Sequence, residues 1–519
     1  MAVVTARIFA NSYRDSVELM QIAAMIEGRE GIERAGLVMA TPANRDVLEA
    51  AGLVTDAVDG AGPNDLVVAV AAVDDATASA ALDDASERLS GGDGGSHGAV
   101  DGAGGSTATR ASTLAEGVAE LDGANLVLIA TPGAYATAEA RKALKRGLHV
   151  FLFSDNVPVA DEIELKALAR ERGLLLMGPD CGTAILDGVP LGFANMVRRG
   201  TIGLAAASGT GLQQVTSLID RFGAGVSQAI GVGGRDLDER VGGVMMIDAI
   251  DRLAADPGTS VIVLISKPPA PSVAQRVLAA AGKAGKPVVV NLLGGDPDGV
   301  AAAGATFAGT FEDAARIAAG LESGSSIATP DDTNGATHGR DAGDDLHDGF
   351  APSQVRVRGL YSGGSLAGEA KLVLRAALGS EAAKAHEIID LGDDEYTVGR
   401  PHPMIDPRLR NETIEATAAD PTVAVILLDV VLGTGAHPDP AGVLVPAINA
   451  AQATAAKAGR RIAVVASVCG TEGDPQGLDT QEATLTAAGV ILGSSNARAA
   501  RIAASIVSRR ASAAVGGAA

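Results

Sequence analysis

Ile202-Gly203-Leu204-Ala205-Ala206-Ala207-Ser208-Gly209-Thr210-Gly211-Leu212 is echoed later in the chain by Gly359-Leu360-Tyr361-Ser362-Gly363-Gly364-Ser365-Leu366. Each copy reads as an apolar strand, a Ser/Gly turn and a helix running on from the leucine. The echo continues downstream. Ala254-Ala255-Asp256-Pro257 is matched by Ala418-Ala419-Asp420-Pro421, and each stands just ahead of an apolar strand, at 261–265 and 423–428. Ala314-Ala315-Arg316-Ile317 is matched by Ala499-Ala500-Arg501-Ile502. A strand, a glycine turn and a helix together make an anion site. The first N–H groups of the helix have no internal acceptor, and the helix dipole is positive at that end. A chain with two such turns has two places suited to phosphate.

Working outward, short apolar strands alternate with helices over most of the length. This pattern predicts parallel sheets covered on both faces, with ligands beyond the carboxyl ends of the strands. The expected organisation is an N-terminal α/β domain over residues 1–90 and a Gly/Ser-rich linker over 91–112. A Rossmann-like portion follows at 113–196, then the first repeat at 197–322, a polar linker at 323–350, the second repeat at 351–508 and a tail at 509–519. With 519 residues, several domains are expected.

Composition narrows the partners. The net charge of −22 disfavours nucleic acid and anionic membrane, because nothing offsets phosphate repulsion over the whole surface. Two cysteines, Cys181 and Cys469, give neither a disulfide framework nor zinc spacing, so no metal is expected. No apolar run reaches the ~18–20 residues of a membrane span, and a cytoplasmic location is expected. Aromatic residues make up only 2% and tryptophan is absent, which favours a core of Ala, Val, Leu and Ile.

The order of these motifs resembles succinyl-CoA synthetase. Ala130-Thr131-Pro132 and Met177-Gly178-Pro179-Asp180-Cys181-Gly182 resemble the later part of its CoA-binding domain. Ser208-Gly209-Thr210 with Gly231-Val232-Gly233-Gly234 resembles the flavodoxin-like domain of its α subunit, and the second repeat that of its β subunit. The whole arrangement is similar to the FdrA family, described as acyl-CoA synthetase-like. Further strings carry that likeness, among them Asn11-Ser12-Tyr13-Arg14-Asp15-Ser16, Gly399-Arg400-Pro401-His402-Pro403-Met404 and Cys469-Gly470-Thr471-Glu472-Gly473-Asp474. The implied fold is a Rossmann-like CoA-binding-type domain followed by two flavodoxin-like domains. The implied activity is that of an oxamate carbamoyltransferase subunit in allantoin breakdown, working with two companion polypeptides.

Departures from the synthetase pattern qualify the chemistry. The synthetase's phosphorylated histidine lies in a Gly-His-Ala-Gly-Ala string, and the corresponding residues 294–307 contain no histidine. The glutamate that orients it is matched here by Gln214. Nothing in residues 1–60 resembles the Gly-x-x-Gly-x-x-Gly fingerprint, which counts against CoA. Phosphate is therefore expected as a reactant or bound anion, without an enzyme-phosphate intermediate on histidine.

The candidate phosphate- and substrate-binding residues are Ser208, Gly209, Thr210 and Gly211 in the first turn and Gly363, Gly364 and Ser365 in the second. Gly233 and Gly234 would admit a ligand to the backbone, with Arg235 supplying a fork for a carboxylate or phosphate. Gly470 and Thr471 would offer backbone donors. Arg400 would hold the oxoacid carboxylate. His402, stiffened between two prolines, or His437 would pass a proton to the leaving nitrogen. The leading expectation is attack of phosphate on the carbamoyl carbon of oxalurate, giving oxamate and carbamoyl phosphate. An ATP-dependent acyl-CoA ligase with its nucleotide site on a partner, and a non-catalytic scaffold, are the alternatives.

Overall fold

A computed structural model describes residues 2–10, 12, 14, 16–91, 111–327, 349–397 and 401–516. The chain forms two compact units, one of residues 1–110 with 394–405, the other of 111–393 with 406–519.

The first unit is built on strands β1 (Val3–Phe9), β2 (Ile32–Met39) and β3 (Leu66–Ala72). β3 lies between the other two and runs antiparallel to both. The sheet is thus antiparallel where alternation of strand and helix predicts a parallel one. The helix Ser16–Glu27 carries the chain from β1 to a parallel β2 but leaves a gap between them, and β3 fills it from the opposite direction. All seven residues of β3 are buried. Val68 and Val70 face a core with Leu19, Ile22 and Leu82; Val67 and Ala69 face one with Leu48, Leu53 and Val58. Alternation of side chains along one strand thus supplies two cores.

In the second unit, β4 (Leu126–Ile129), β5 (His149–Leu152) and β6 (Leu176–Met177) form a parallel three-stranded sheet. A seven-stranded sheet follows, made of β7 (Thr183–Leu186), β8 (Val189–Gly192), β9 (Arg199–Ala207), β10 (Val226–Gly231), β11 (Val261–Ser266), β12 (Val288–Leu292) and β13 (Thr306–Phe307). Its order is β13-β12-β11-β9-β10-β7-β8. The hairpin β7–β8 turns at Asp187-Gly188 and joins β10 antiparallel, so this sheet begins at Thr183, ahead of the expected boundary at 197. The last sheet holds β14 (Arg356–Tyr361), β15 (Glu387–Asp390), β16 (Val423–Val431), β17 (Ala463–Cys469) and β18 (Ile491–Gly493), ordered β15-β14-β16-β17-β18. The helix Asn496–Gly516 continues through most of the expected tail. The expected linkers fall largely outside the described residues.

Both large sheets share one parallel order, second-first-third-fourth-fifth, which is the flavodoxin-like arrangement. Its ligand crevice opens where strand order reverses, between the first and third strands. In the first repeat that point lies between the ends of β9 and β11; in the second, between β14 and β16. Four residues consequently matter most: Ser208 after β9, Lys267 after β11, Ser362 after β14 and Asp429 near the end of β16.

Candidate functional site

Ser208 leaves β9 in an extended conformation and caps the helix Gly209–Arg221, its hydroxyl accepting from the Gly211 amide at 3.1 Å. Gly211 must be glycine, because a Cβ there would lie 2.3 Å from Ser208 Oγ and 3.0 Å from the Phe311 ring. The amides of Gly209 and Thr210 remain at the helix terminus, where no intrahelical acceptor exists. Thr183, on the edge hairpin, is buried with an Oγ1 that has no hydrogen-bond partner. That oxygen lies 3.7 Å from the position of a Cβ on Gly209.

The second turn is built one residue out of step. Its cap is Gly363, not Ser362, and the helix runs Gly364–Leu378. Matching the caps pairs Gly209 with Gly364, Thr210 with Ser365 and Gln214 with Glu369. Both helices start at the glycine, three residues ahead of the leucine in the first repeat and two in the second. The turn is already occupied by a carboxylate of the chain itself. The amides of Ser362 and Gly363 each donate to Asp429 at 2.8 Å, and the Ser362 hydroxyl adds a bond of 3.1 Å. Asp429 is fully buried in a strand otherwise apolar throughout, and Arg410 Nη2 balances it at 2.9 Å. Arg410 also donates to the Leu360 and Asp429 carbonyls. The expected phosphate site of the second turn is therefore corrected: Asp429 holds the Gly363 amide, and Gly364 and Ser365 are left at the terminus.

The two helix N-termini meet. The Ser208 hydroxyl donates to Ser365 Oγ at 2.6 Å, and a Cβ on Gly363 would lie 2.8 Å from Thr210 Cγ2. Beside this contact a Cβ on Gly364 would come 2.2 Å from Asp390 Oδ2 and 3.4 Å from Lys267 Nζ. Asp390 stands at the end of β15 and accepts from the Gly392 amide at 3.0 Å. Burial raises its carboxyl above the ordinary value, while the Gly392 amide and Lys267 pull it back down. A few steps along the same helices, Glu369 accepts from the Phe311 amide at 2.6 Å and from Asn496 Nδ2 at 2.8 Å. Burial pushes Glu369 up to about 7. Gln214, its counterpart, is buried with an unpartnered Oε1.

The other expected site residues are elsewhere or otherwise engaged. Arg235 donates to the Val157 carbonyl at 2.7 Å and pairs with Glu162 at 3.0 Å, so its fork is turned to the protein. Glu162 also meets the buried Lys166, which bonds Asp236 at 2.8 Å. Gly233 has φ +87°, and a Cβ there would lie 2.5 Å from the Pro179 carbonyl; Gly234 faces Asp180. That turn is shaped for packing on Gly178-Pro179. Gly470 is closed off by Leu432, and Thr471 donates through its amide to Asp474 and its hydroxyl to Met196 O at 2.5 Å. Thr471 thus joins the loop before β9 to the second repeat, together with Asn195, which bonds Asp474 at 2.8 Å.

His402 belongs to the first compact unit. Its Nδ1 accepts from the Met404 amide at 3.3 Å, and burial pulls the imidazole down to about 4, where it is neutral at physiological pH. His437 Nδ1 accepts from the Asp439 amide at 3.0 Å, and Asp439 caps the helix Pro440–Lys457. Arg400 lies outside the described residues. Burial pushes the Cys181 thiol up to about 12 and raises Cys469 as well, so neither is a thiolate.

With this geometry in view, comparison with known proteins places the chain. It is 41% identical over 502 residues to YahF of Escherichia coli (strain K12), covering 94% of this chain and 95% of that one. The chain belongs to this FdrA-like, succinyl-CoA-synthetase-like family. A CoA-ligase family model matches residues 360–506, a CoA binding domain model 198–294, and an "AllF, heavy metal-associated domain" model 1–103. The CoA binding match covers the first flavodoxin-like repeat, downstream of the 113–196 implied by resemblance. The mitochondrial succinate–CoA ligase [ADP-forming] subunit alpha-2 of Trichomonas vaginalis is 33% identical over 148 residues, 28% of this chain and 46% of that subunit. The chain thus spans less than half of that relative. Among solved structures, a Ca. Korarchaeum cryptofilum dinucleotide-forming acetyl-coenzyme A synthetase overlaps 78% of this chain and 87% of its own at 16% identity. Its TM-score is 0.33.

One group named by these matches can be tested against the residues. Soft metals are held mainly by clustered thiolates, and residues 1–103 contain no cysteine. That donor set does not fit a heavy metal. In the Rossmann-like portion the helix Gly133–Lys145 starts at a glycine whose Cβ would sit 2.3 Å from the Asp155 carbonyl. Gly133 is therefore fixed by packing on the Asp155 carbonyl, and the CoA binding match lies downstream, at 198–294. No helix among the described residues is long and apolar enough to cross a membrane.

Proposed function

We propose that the chain is the phosphate-handling subunit of an acyl transferase, with carbamoyl transfer from oxalurate to phosphate as the reaction. The observation that carries this reading is the meeting of two helix N-termini at Ser208 and Ser365, with Lys267 beside them. Two positive dipole ends and an ammonium favour a dianion. A phosphate oxygen would attack the carbamoyl carbon and the carbon–nitrogen bond would break. The phosphate's proton would pass to the departing nitrogen, leaving oxamate and carbamoyl phosphate. The amides of Gly209, Thr210, Gly364 and Ser365 are the donors available to hold the anion during attack. Each of the four described histidines has its Nδ1 engaged by a backbone amide, His149 by Leu175, His386 by Val357, and His402 and His437 as above. A free phosphate reactant suits that arrangement better than a phosphohistidine carrier does.

The second reading is an ATP-dependent acyl-CoA ligase whose nucleotide binds a partner polypeptide. It is favoured by the CoA-ligase and CoA binding matches, which cover the two repeats. One experiment separates them. The purified chain, with the companion polypeptides expected of it, is given oxalurate and inorganic phosphate, or ATP, CoA and a carboxylic acid. Carbamoyl phosphate without nucleotide supports the first reading. A CoA thioester formed only with ATP, or an acid-labile phosphohistidine in the mass spectrum, overturns it.

A further inference from the structure

Lys267 stands out among the charged groups at the meeting of the two helices. It follows β11 at the point where strand order reverses, and it is exposed while the six residues before it are buried. Pro268 and Pro269 come next. The residue before a proline is confined to extended conformations, so the backbone that carries the ammonium is stiff. The Ser266 hydroxyl donates to the Lys267 carbonyl at 2.6 Å and fixes the same peptide. The Lys267 ammonium makes no hydrogen bond or ion pair among the described residues. Its Nζ nevertheless reaches the first residue of the second helix, 3.4 Å from where a Cβ on Gly364 would be.

Thr183 gives an independent sign of a missing ligand at the other helix. It is only 2% exposed, and its Oγ1 has no partner, which is unfavourable for a buried hydroxyl. The oxygen lies beside Gly209, the first residue of the first helix. One carboxylate opposes this arrangement. Asp390 Oδ2 lies against Gly364, so an anion bound at that terminus would meet negative charge on one side.

Resting on the reading above, we infer that Lys267 and Thr183 are the phosphate ligands that complete the site between the two helix N-termini, and that Asp390 sets its selectivity. Lys267, contributed by the first repeat, supplies the counter-charge at the helix of the second. Thr183 donates from the edge hairpin. Asp390 repels a fully ionised anion and accepts a hydrogen bond from one that still carries its proton, as HPO4²⁻ does and the tetrahedral SO4²⁻ does not. A proton-bearing oxyanion is the form that the transfer reaction consumes.

The test is calorimetric titration of the full chain with inorganic phosphate and, separately, with sulfate. The wild type should bind phosphate at least fivefold more tightly than sulfate. Lys267→Met should weaken phosphate at least tenfold, with Lys267→Arg retaining most of the affinity. Thr183→Val should weaken it severalfold, and Asp390→Asn should bring sulfate to within twofold of phosphate. Lys267 is exposed, so its variants should melt with the wild type. If the wild type takes up no phosphate, the transferase reading falls and this assignment with it. If it binds and Lys267→Met binds within twofold, the transferase reading stands and the assignment of Lys267 is overturned. If sulfate binds as well as phosphate in the wild type, the role given to Asp390 is overturned.

Discussion

The two glycine turns share a backbone plan but differ in what answers their amides. In the second, Ser362 and Gly363 donate to Asp429, which Arg410 balances, so the turn is closed by the protein's own anion. In the first, the Ser208 hydroxyl takes up the Gly211 amide alone, and no protein carboxylate is bonded there among the described residues. The crevice flanks follow the same division: Asp429 in the second repeat, Lys267 in the first. A duplicated anion site can thus divide its labour. One copy becomes a fixed internal ion pair that holds its helix in place, while the other keeps its field directed at a ligand. The closed copy orients Gly364 and Ser365 toward the open one.

The largest effect should come from emptying the closed turn. Asp429→Ala leaves the Arg410 guanidinium buried and unpaired and frees two amides in a dry strand end. Losing one partner of a buried pair typically costs about 3–5 kcal/mol. Urea unfolding of the second unit should shift accordingly, and adding Arg410→Leu should recover part of the loss. Ser208→Ala at the open turn should cost only about 1 kcal/mol, the usual price of a lost N-cap. Equal losses at the two positions would break the distinction between them.

The next effect is in pH dependence, at the pair Glu369 and Gln214. Burial raises the Glu369 carboxyl from 4.5 to about 7. Between those values the folded chain holds a proton that the unfolded chain has released, so the contribution is full below about 4.5 and is lost as pH rises through 7. Over that span the change is on the order of 3 kcal/mol. The second unit should melt lower at pH 8 than at pH 5.5, and Glu369→Gln should flatten that slope. Gln214 has no charge to lose, so Gln214→Ala should leave the slope unchanged. His402, in the first unit, has the opposite sign. Its pKa falls from 6.5 to about 4, so its contribution is present above 6.5 and is lost on acidification. Opposed slopes for the two units, read by separate probes, would sharpen the contrast; parallel slopes would remove it.

Much of the fold was legible because it rests on local signals. The repeated strand, glycine turn and helix are contiguous in sequence, and periodicity alone locates them. The Asp187-Gly188 hairpin signal was also present, but which sheet it joins depends on a pairing with β10 some forty residues away. The antiparallel N-terminal sheet was missed because helix and strand alternation does not say whether a later strand inserts between earlier ones. At the site, the turns were readable but their occupants were not. Asp429 sits 66 residues beyond Gly363, and only three-dimensional register brings its carboxylate to those amides. A single acid ending the run Val423–Leu428 was the available clue, since a buried charge needs a partner. Arg235, Gly470 and Thr471 looked free because their partners, Glu162, Leu432 and Met196, are equally remote.

The smallest effect on stability should come from Gly209→Asp, and it divides the two turns most cleanly. Gly209 is exposed, and the nearest atom to an added Cβ is Thr183 Oγ1 at 3.7 Å, an ordinary contact. An acidic residue in the first turn of a helix is mildly favourable to the dipole, so the midpoint should move by less than about 0.5 kcal/mol. The same carboxylate would occupy the space proposed for phosphate, as Asp429 does in the second turn, and should abolish phosphate uptake at millimolar concentration. Gly364→Asp has no such freedom, since its Cβ would meet Asp390 at 2.2 Å. It should destabilise the fold as well as block the anion. A Gly209→Asp chain that folds like the wild type and still binds phosphate would show that the open turn is only a cap, and the difference between the two copies would then be one of packing alone.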